Sequence, residues 1–253
     1  MVDAIFGEPR LAAVYDALDP DRSDLEVYAR IVVDELGARS VLDIGCGTGT
    51  FALMLAARGL SVTGVDPASA SIGVARAKPG ADAVRWLEGT LDAVEADASI
   101  GSGFDVATMT ANVAQVFVEE HDWATTLGAA RRLLRPGGTL VLESRRPERR
   151  AWLQWTPEVS RQVVDVAHEG PVEDWVELIA VDEEAPGGAL VTFRSPTVFH
   201  RDGARIDSES TLRFRSREQI EASLERAGFA VVDVRDAPDR PGREWVFLAR
   251  RAD

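Results

Sequence analysis

Residues 41–52 read Val41-Leu42-Asp43-Ile44-Gly45-Cys46-Gly47-Thr48-Gly49-Thr50-Phe51-Ala52. A short apolar run with the look of a buried strand enters a bend, and a helix-like segment leaves it. Glycines at 45, 47 and 49 clear side chains from the bend, so the backbone can turn tightly and approach a ligand. In an open α/β sheet, ligands bind beyond the carboxyl ends of the strands. Asp43 stands at that end. A carboxylate there is costly unless it meets a cation or hydrogen-bond donors. A ligand ammonium suits it; capping of the loop amides is the plainer alternative. Cys46 reads as a small residue tolerated by tight packing, with no His or Arg beside it to make a nucleophile.

The next strand-like run, Ser61-Val62-Thr63-Gly64-Val65, ends on Asp66-Pro67. An acid about 20 residues after a glycine bend matches bidentate binding of ribose hydroxyls. N-cap of a helix over Ser69–Ala77 is the plainer alternative for Asp66, and the pairing of the two features on consecutive strands favours the ribose. Gly47-x-Gly49-x-x-Ala52 also satisfies a relaxed dinucleotide fingerprint, but Asp43 would repel a pyrophosphate. A cationic, phosphate-free nucleoside is the better electrostatic match.

Working outward, strand-like and helix-like segments alternate: Ser40–Ile44, Phe51–Arg58, Ser61–Val65, Ser69–Ala77, Ala83–Leu87, Phe104–Met109, Asp122–Leu134, Thr139–Leu142. That rhythm predicts an α/β fold, a mainly parallel sheet with helices on both faces. Arg135-Pro136-Gly137-Gly138 reads as a stop and turn before the last of these strands. Two helices precede the series, one near Asp3–Leu18 and one that opens with Ser23 and Glu26 at capping-box spacing and closes at Gly37. The polar stretch Asp92–Gly103 reads as a loop. From Arg145 the rhythm breaks. Extended segments at Val172–Val181, Ala189–His200 and Arg205–Phe214 predict an inserted three-stranded antiparallel sheet, with Thr192, Phe193, Val198 and Phe199 on its edge. Ser216 to Gln219 opens a further helix with capping-box spacing, ending at Ala227-Gly228. Strands Phe229–Val234 and Glu244–Ala249 finish the chain.

Composition narrows the function classes. The 253 residues are 45% hydrophobic and 28% charged, which is ordinary for a globular domain. The formal net charge of −14 disfavours nucleic acid and anionic membrane as partners. One cysteine excludes an intrachain disulfide and a thiolate zinc site, and no metal is expected. No apolar run approaches the roughly 18 residues of a membrane span, and the N-terminus lacks a basic and apolar leader, so a cytoplasmic location is expected.

The motif series VLDIGCGTG, VTGVDPAS, VRWLEGTLDAV, FDVATMTANVAQVF, LRPGGTLVLE and REQIEASLERAGF resembles the class I S-adenosylmethionine-dependent methyltransferases, in particular the bacterial small-molecule type. The resemblance covers about Val41 to Phe229, with 145–215 matched only in outline. It implies a Rossmann-like seven-stranded sheet whose last strand is antiparallel, with helices on both faces and the antiparallel β insert as a lid. It implies one domain: an N-terminal helical cap at 1–36, a core of 37–144 and 216–253, and a substrate lid at 145–215. The bend at Gly45, Cys46, Gly47 and Gly49 would pass under the methionyl part of S-adenosylmethionine, with Asp43 near its ammonium. Asp66 would hold the ribose, and Pro67 or Ala68 would lie by the adenine. Many members carry an Asp after the glycine of the third motif; here Thr90 follows Gly89, so Thr90 or the Leu91 amide would take that contact. Thr110, Ala111 and Asn112 would end strand four beside the transferable methyl. Asn112 matches an Asn of glycine-methylating relatives and reads equally as a turn residue.

Methyl transfer from a sulfonium needs alignment and exclusion of water more than acid–base groups. A base is required only where the acceptor must first lose a proton. Of the three histidines, His121 reads as a helix-start residue and His168 as a loop residue, leaving His200, on the lid, as the candidate base. Tyr15 resembles an N-terminal tyrosine that covers the cofactor in related enzymes, and reads equally as helix packing. Glu143 would face the acceptor. Arg145 and Arg146 would hold a substrate carboxylate or form a solvated turn. Trp152 and Trp155 would wall the substrate or pack in the core. The expected activity is methyl transfer to N or O of a small molecule, in a monomer or homodimer. The alternatives are an NAD(P)-binding oxidoreductase of similar architecture and a non-catalytic nucleoside-binding protein.

Overall fold

The computed structural model describes residues 2–252. Helices α1 (Ala4–Gly7), α2 (Pro9–Leu18) and α3 (Asp24–Arg30) open the chain. Then follow β1 (Ser40–Ile44), α4 (Thr50–Ala57), β2 (Ser61–Asp66), α5 (Ser69–Ala77), β3 (Val84–Glu88), α6 (Leu91–Ala96), β4 (Phe104–Met109), α7 (Glu120–Leu133) and β5 (Leu134–Arg145). An insert carries α8 (Pro157–Ser160), β6 (Gln162–Val166), β7 (Gly170–Asp174), β8 (Glu177–Asp182), β9 (Ala189–Phe199) and β10 (Ala204–Phe214). The chain ends with α9 (Arg217–Arg226), β11 (Phe229–Asp236) and β12 (Glu244–Arg251).

The main sheet has seven strands in the order β11-β12-β5-β4-β1-β2-β3. Neighbours from β5 to β3 run parallel, and β12 lies antiparallel between β5 and β11. Alternation along each strand divides the core in two. Val41, Val62, Val141 and Val246 pack one face with Tyr28, Ile31 and Phe51. Leu42, Ala107, Leu140 and Phe247 pack the other with Trp123, Leu127 and Leu224. The strand order reverses at β1 and β4, so a crevice opens at their carboxyl ends.

The glycine bend follows from close contacts. At Gly45 (φ +70°) a Cβ would strike the Val113 methyls at 2.7 Å, and at Gly49 (φ +81°) it would strike the Trp86 ring at 2.4 Å. Both positions are closed to any other residue by space and by backbone sign.

Several sequence expectations need correction. The N-terminal helix breaks at Glu8, because a residue before proline is driven out of the helical region; Glu8 sits at φ −85°, ψ 123°, and its carboxylate caps α2 at the Leu11 amide. Ser23 forms no capping box. Its own backbone is already helical, which points the hydroxyl away from the free amides, and Glu26 instead pairs with Arg58 at 2.6 Å. The stretch expected to be a loop at Asp92–Gly103 begins inside α6, whose Leu91 and Val94 are buried. Arg135 to Gly138 is a bulge within β5, not a turn before it. Leu134 already pairs with Phe104, and regular register resumes at Thr139.

The insert is five-stranded rather than three-stranded. The expected strand over Val172–Val181 splits into β7 and β8, and β6 is added. β9 is central, flanked by β10 on one side and by β7 and β8 on the other, so Thr192, Phe193, Val198 and Phe199 are not on an edge. Phe199 is fully buried with Leu11, Val14 and Val172, which locks α2 onto the insert. Burying such a ring stabilises by roughly 1.5–3 kcal/mol. The insert is also anchored to the core, since Arg213 and Arg215 donate to the Val118 and Phe117 carbonyls before α7. The capping box at Ser216 and Gln219 forms as expected.

Candidate active site

The crevice gathers residues from β1, β2, β4, β5 and β12. Asp43 is 2% exposed, and its Oδ1 accepts from the Thr108 hydroxyl at 2.8 Å. Its Oδ2 is buried without any partner. Burial, relieved only by Thr108 and aggravated by nearby Asp66, pushes the Asp43 carboxyl up to about 7. Asp66 lies one strand over. Its Oδ2 accepts from the Gly47 amide at 2.9 Å and its Oδ1 from the Ala68 amide at 2.8 Å. The amide-capping role considered for Asp43 therefore belongs to Asp66. Each Asp66 oxygen keeps a lone pair for a further donor, and burial raises this carboxyl as well. Beside them Gly47 faces open space, with no atom within 4 Å of the position a Cβ would take.

Cys46 is buried in the bend, and burial pushes its thiol well up, as for an inert packing residue. Pro67 is exposed beside buried Ala68, while Thr90 is exposed ahead of buried Leu91. Thr90 makes no side-chain cap on α6. Thr110 is buried at the end of β4, and Ala111 and Asn112 both take left-handed backbone, at φ 54° and 61°. Strain of this kind concentrates at functional sites.

Past β4 a buried polar cluster fills the sheet end. Glu143 is not open to an acceptor, as the sequence reading had it. It is buried, with Oε2 taking the Tyr28 hydroxyl and Oε1 the Asn112 amide at 2.9 Å. Burial and then the neighbouring Glu244 push its carboxyl up to about 8. Arg145 donates to Gln115 Oε1 at 3.0 Å, lies 3.7 Å from Glu244 Oε1 and sits over the Trp155 ring at 5.9 Å. Tyr15 is half-buried against Phe6, and burial raises its phenol against the pull of Arg22 and Arg145. It therefore stands near the cluster.

Other candidates fall elsewhere. Trp152 is buried edge-on to Phe214 at 4.7 Å, packed in the insert. Arg146 pairs with Asp236 at 2.6 Å in place of a substrate carboxylate. His200 is spent on an exposed pair with Glu173 at 3.0 Å and bonds no residue of the crevice, so it is not placed as a base. His168 lies in the turn between β6 and β7, and His121 lies in the first turn of α7. Among the described residues no His, Cys, Asp and Glu cluster could hold a metal ion, and no helix is long and apolar enough to cross a membrane.

Sequence reading missed Asp16, Tyr28, Gln115 and Glu244. Gln115 carried a signal, standing three residues past Asn112, and so did Glu244, an acid at the start of an apolar strand. Asp16 had none. Its carboxylate accepts from Thr48 at 2.7 Å and Thr50 at 3.3 Å and pairs with Lys78 at 2.6 Å, which latches α2 onto the glycine bend. Asp16→Ala is expected to weaken nucleoside binding about 3- to 10-fold, the worth of one or two partly exposed hydrogen bonds. Amide exchange across residues 9–18 should rise with it; unchanged exchange would contradict the latch.

Residues 41–138 match the family model described as methyltransferase domain. The cypemycin N-terminal methyltransferase of a Streptomyces species is 34% identical over 115 residues, 44% of each chain. The ubiquinone biosynthesis O-methyltransferase of Pseudomonas paraeruginosa is 32% identical over 118 residues, 47% of this chain and 49% of that one. The matched segment thus spans about half the length of these curated relatives. A crystal structure of an S-adenosylmethionine-dependent methyltransferase from Clostridium acetobutylicum superposes with a TM-score of 0.74 at 18% identity, covering 96% of this chain and 98% of that one. That likeness carries the fold through the insert as well as the core.

Proposed function

We propose that this chain is a class I S-adenosylmethionine-dependent methyltransferase that transfers a methyl group to nitrogen or oxygen of a small molecule. The observation that carries the reading is the unpartnered Oδ2 of Asp43, a buried carboxylate oxygen beside a side-chain-free bend. A ligand ammonium satisfies it, and a buried acceptor left empty costs free energy. Asp66 retains one acceptor site on each oxygen for a pair of ribose hydroxyls. The residues therefore fit S-adenosylmethionine, which supplies an electrophilic methyl group when bound. A nicotinamide dinucleotide fits poorly, since the two carboxylates would face its phosphates.

The protein's own part is positioning. Asp43 and Asp66 fix the two ends of the nucleoside, and Val113, pressed on Gly45, fixes the β4 end against the bend. The α2 latch and the insert keep water from the crevice, which favours a displacement between aligned groups. Asn112 and Gln115 stand where an acceptor would enter. The named relatives are an N-terminal methyltransferase and an O-methyltransferase, and both acceptor atoms stay within the reading. The test is formation of S-adenosylhomocysteine from S-adenosylmethionine across a panel of small amines and alcohols. Acceptor-dependent product is expected; nucleoside binding with no turnover on any acceptor would favour a binding protein instead.

A further inference from the structure

The acceptor end of the crevice holds two unspent hydrogen-bonding atoms whose identities their neighbours fix. Asn112 Nδ2 faces Glu244 Oε1 at 3.5 Å. A carboxylate only accepts, so the amide is oriented nitrogen-first and its Oδ1 points away, buried and unpartnered. Arg145 donates to Gln115 Oε1 at 3.0 Å. A guanidinium only donates, so Gln115 Nε2 points away, likewise buried and unpartnered. The two residues are 3% and 1% exposed. Asn112 caps, in left-handed backbone, the 3₁₀ turn that Gln115 ends, and both residues are tied to Glu244, whose Oε1 also lies 3.7 Å from the Arg145 that holds Gln115. Native interiors seldom leave such groups unpaired. Here one acceptor and one donor stand together next to the end of β4.

We propose that Asn112 Oδ1 and Gln115 Nε2 together recognise the methyl acceptor, and that this acceptor is an uncharged amine with an oxygen on the adjacent carbon, a vicinal amino alcohol. The proposal rests on the methyltransferase reading. Asn112 Oδ1 takes an N–H of the amine and leaves the lone pair free; Gln115 Nε2 donates to the neighbouring oxygen. An alcohol acceptor would have to shed its proton during attack. Both neighbouring carboxylates are engaged: Glu143 takes the Tyr28 hydroxyl and the Asn112 amide, Glu244 pairs with Arg240 at 3.0 Å, and all three histidines lie outside the cluster. An uncharged amine needs no base. Its lone pair forms the new bond to the methyl carbon while the carbon–sulfur bond breaks with its electrons onto sulfur. The nitrogen becomes a cation and then releases a proton to water.

Three probes test this: trans-2-aminocyclohexanol, cyclohexylamine and trans-1,2-diaminocyclohexane. With the unsubstituted protein, kcat/KM for the amino alcohol should exceed that for cyclohexylamine about tenfold or more, the usual consequence of a buried donor left unpaired. Affinities of the probes for the S-adenosylhomocysteine-loaded protein should follow the same order. Gln115→Glu keeps the oxygen facing Arg145 and turns the free donor into an acceptor, so the preference should invert toward the diamine, with S-adenosylhomocysteine affinity held within about twofold. Gln115→Met should bring the amino alcohol to cyclohexylamine ratio close to one. Equal treatment of the amino alcohol and cyclohexylamine by the unsubstituted protein, turnover of none of the three by protein that binds S-adenosylhomocysteine, or an equal loss on all probes in both variants would overturn the proposal. Failure of the unsubstituted protein to bind S-adenosylhomocysteine would overturn the methyltransferase reading itself.

Discussion

Asp43→Asn is expected to lose about 100-fold or more in S-adenosylhomocysteine affinity and yet to unfold at a higher temperature than the parent at pH 8. The first effect follows from removing one member of a buried charge pair, which costs roughly 2–5 kcal/mol. The second follows from what the ligand-free protein bears. Asp43 is buried, holds one hydrogen bond and is pushed up to about 7. Its ordinary value is 3.8. Between those two pH values the folded state holds a proton that the unfolded chain has released, so stability falls as pH rises through the window and levels off above about 7. Asn carries no such penalty. Calorimetric titration with the nucleoside and thermal unfolding at pH 5 and pH 8 check both halves. A variant that binds as tightly as the parent, or that is no more stable than it at pH 8, contradicts the role given to this carboxylate.

Glu143 should separate charge from hydrogen bonding. Glu143→Ala strands the Tyr28 hydroxyl and the Asn112 amide in the core and opens a cavity, for a loss of about 3–5 kcal/mol. In a chain of this size that lowers the unfolding temperature by roughly 6–20 °C. Glu143→Gln keeps acceptor capacity for one of those donors and removes the ionisation. Since burial and Glu244 push the parent carboxyl from 4.5 to about 8, parent stability should decline between those pH values. The Gln variant should lose this part of the decline and overtake at pH 8. Denaturant midpoints across pH 4–9 distinguish the two substitutions. Equal destabilisation by Ala and Gln at pH 8 would show that the raised carboxyl contributes nothing.

The main sheet was legible because its signals are local. β1, α5 and β4 have the very bounds expected from apolar runs and turn residues, and the bend at Gly45 to Gly49 is dictated by contacts only glycine permits. The insert was not, because its order depends on pairing between distant segments. The split of Val172–Val181 at Trp175 and the central place of β9 are set by register with partners up to 27 residues away. The two acids were legible because they end consecutive strands, although the amide-capping alternative raised for Asp43 falls to Asp66, and Asp43 is left with a free oxygen. The acceptor side was read less well. Glu143 was assigned an open role that Tyr28, 115 residues away in sequence, fills instead. Gln115 and Glu244 acquire meaning only once β4, β5 and β12 lie side by side. Trp152 and His200 drew attention by residue type alone, and packing against Phe214 and pairing with Glu173 account for them.

The most direct measurement is a calorimetric titration of the unsubstituted protein with S-adenosylhomocysteine at pH 6, repeated in buffers of different ionisation enthalpy. Asp43 is mostly protonated there before binding and ionised against the ligand ammonium afterwards. One site per chain with release of close to one proton is expected, and NADH should give no competing signal. Absence of binding, binding without proton release, or displacement of the nucleoside by NADH would contradict a carboxylate–ammonium contact at the end of β1.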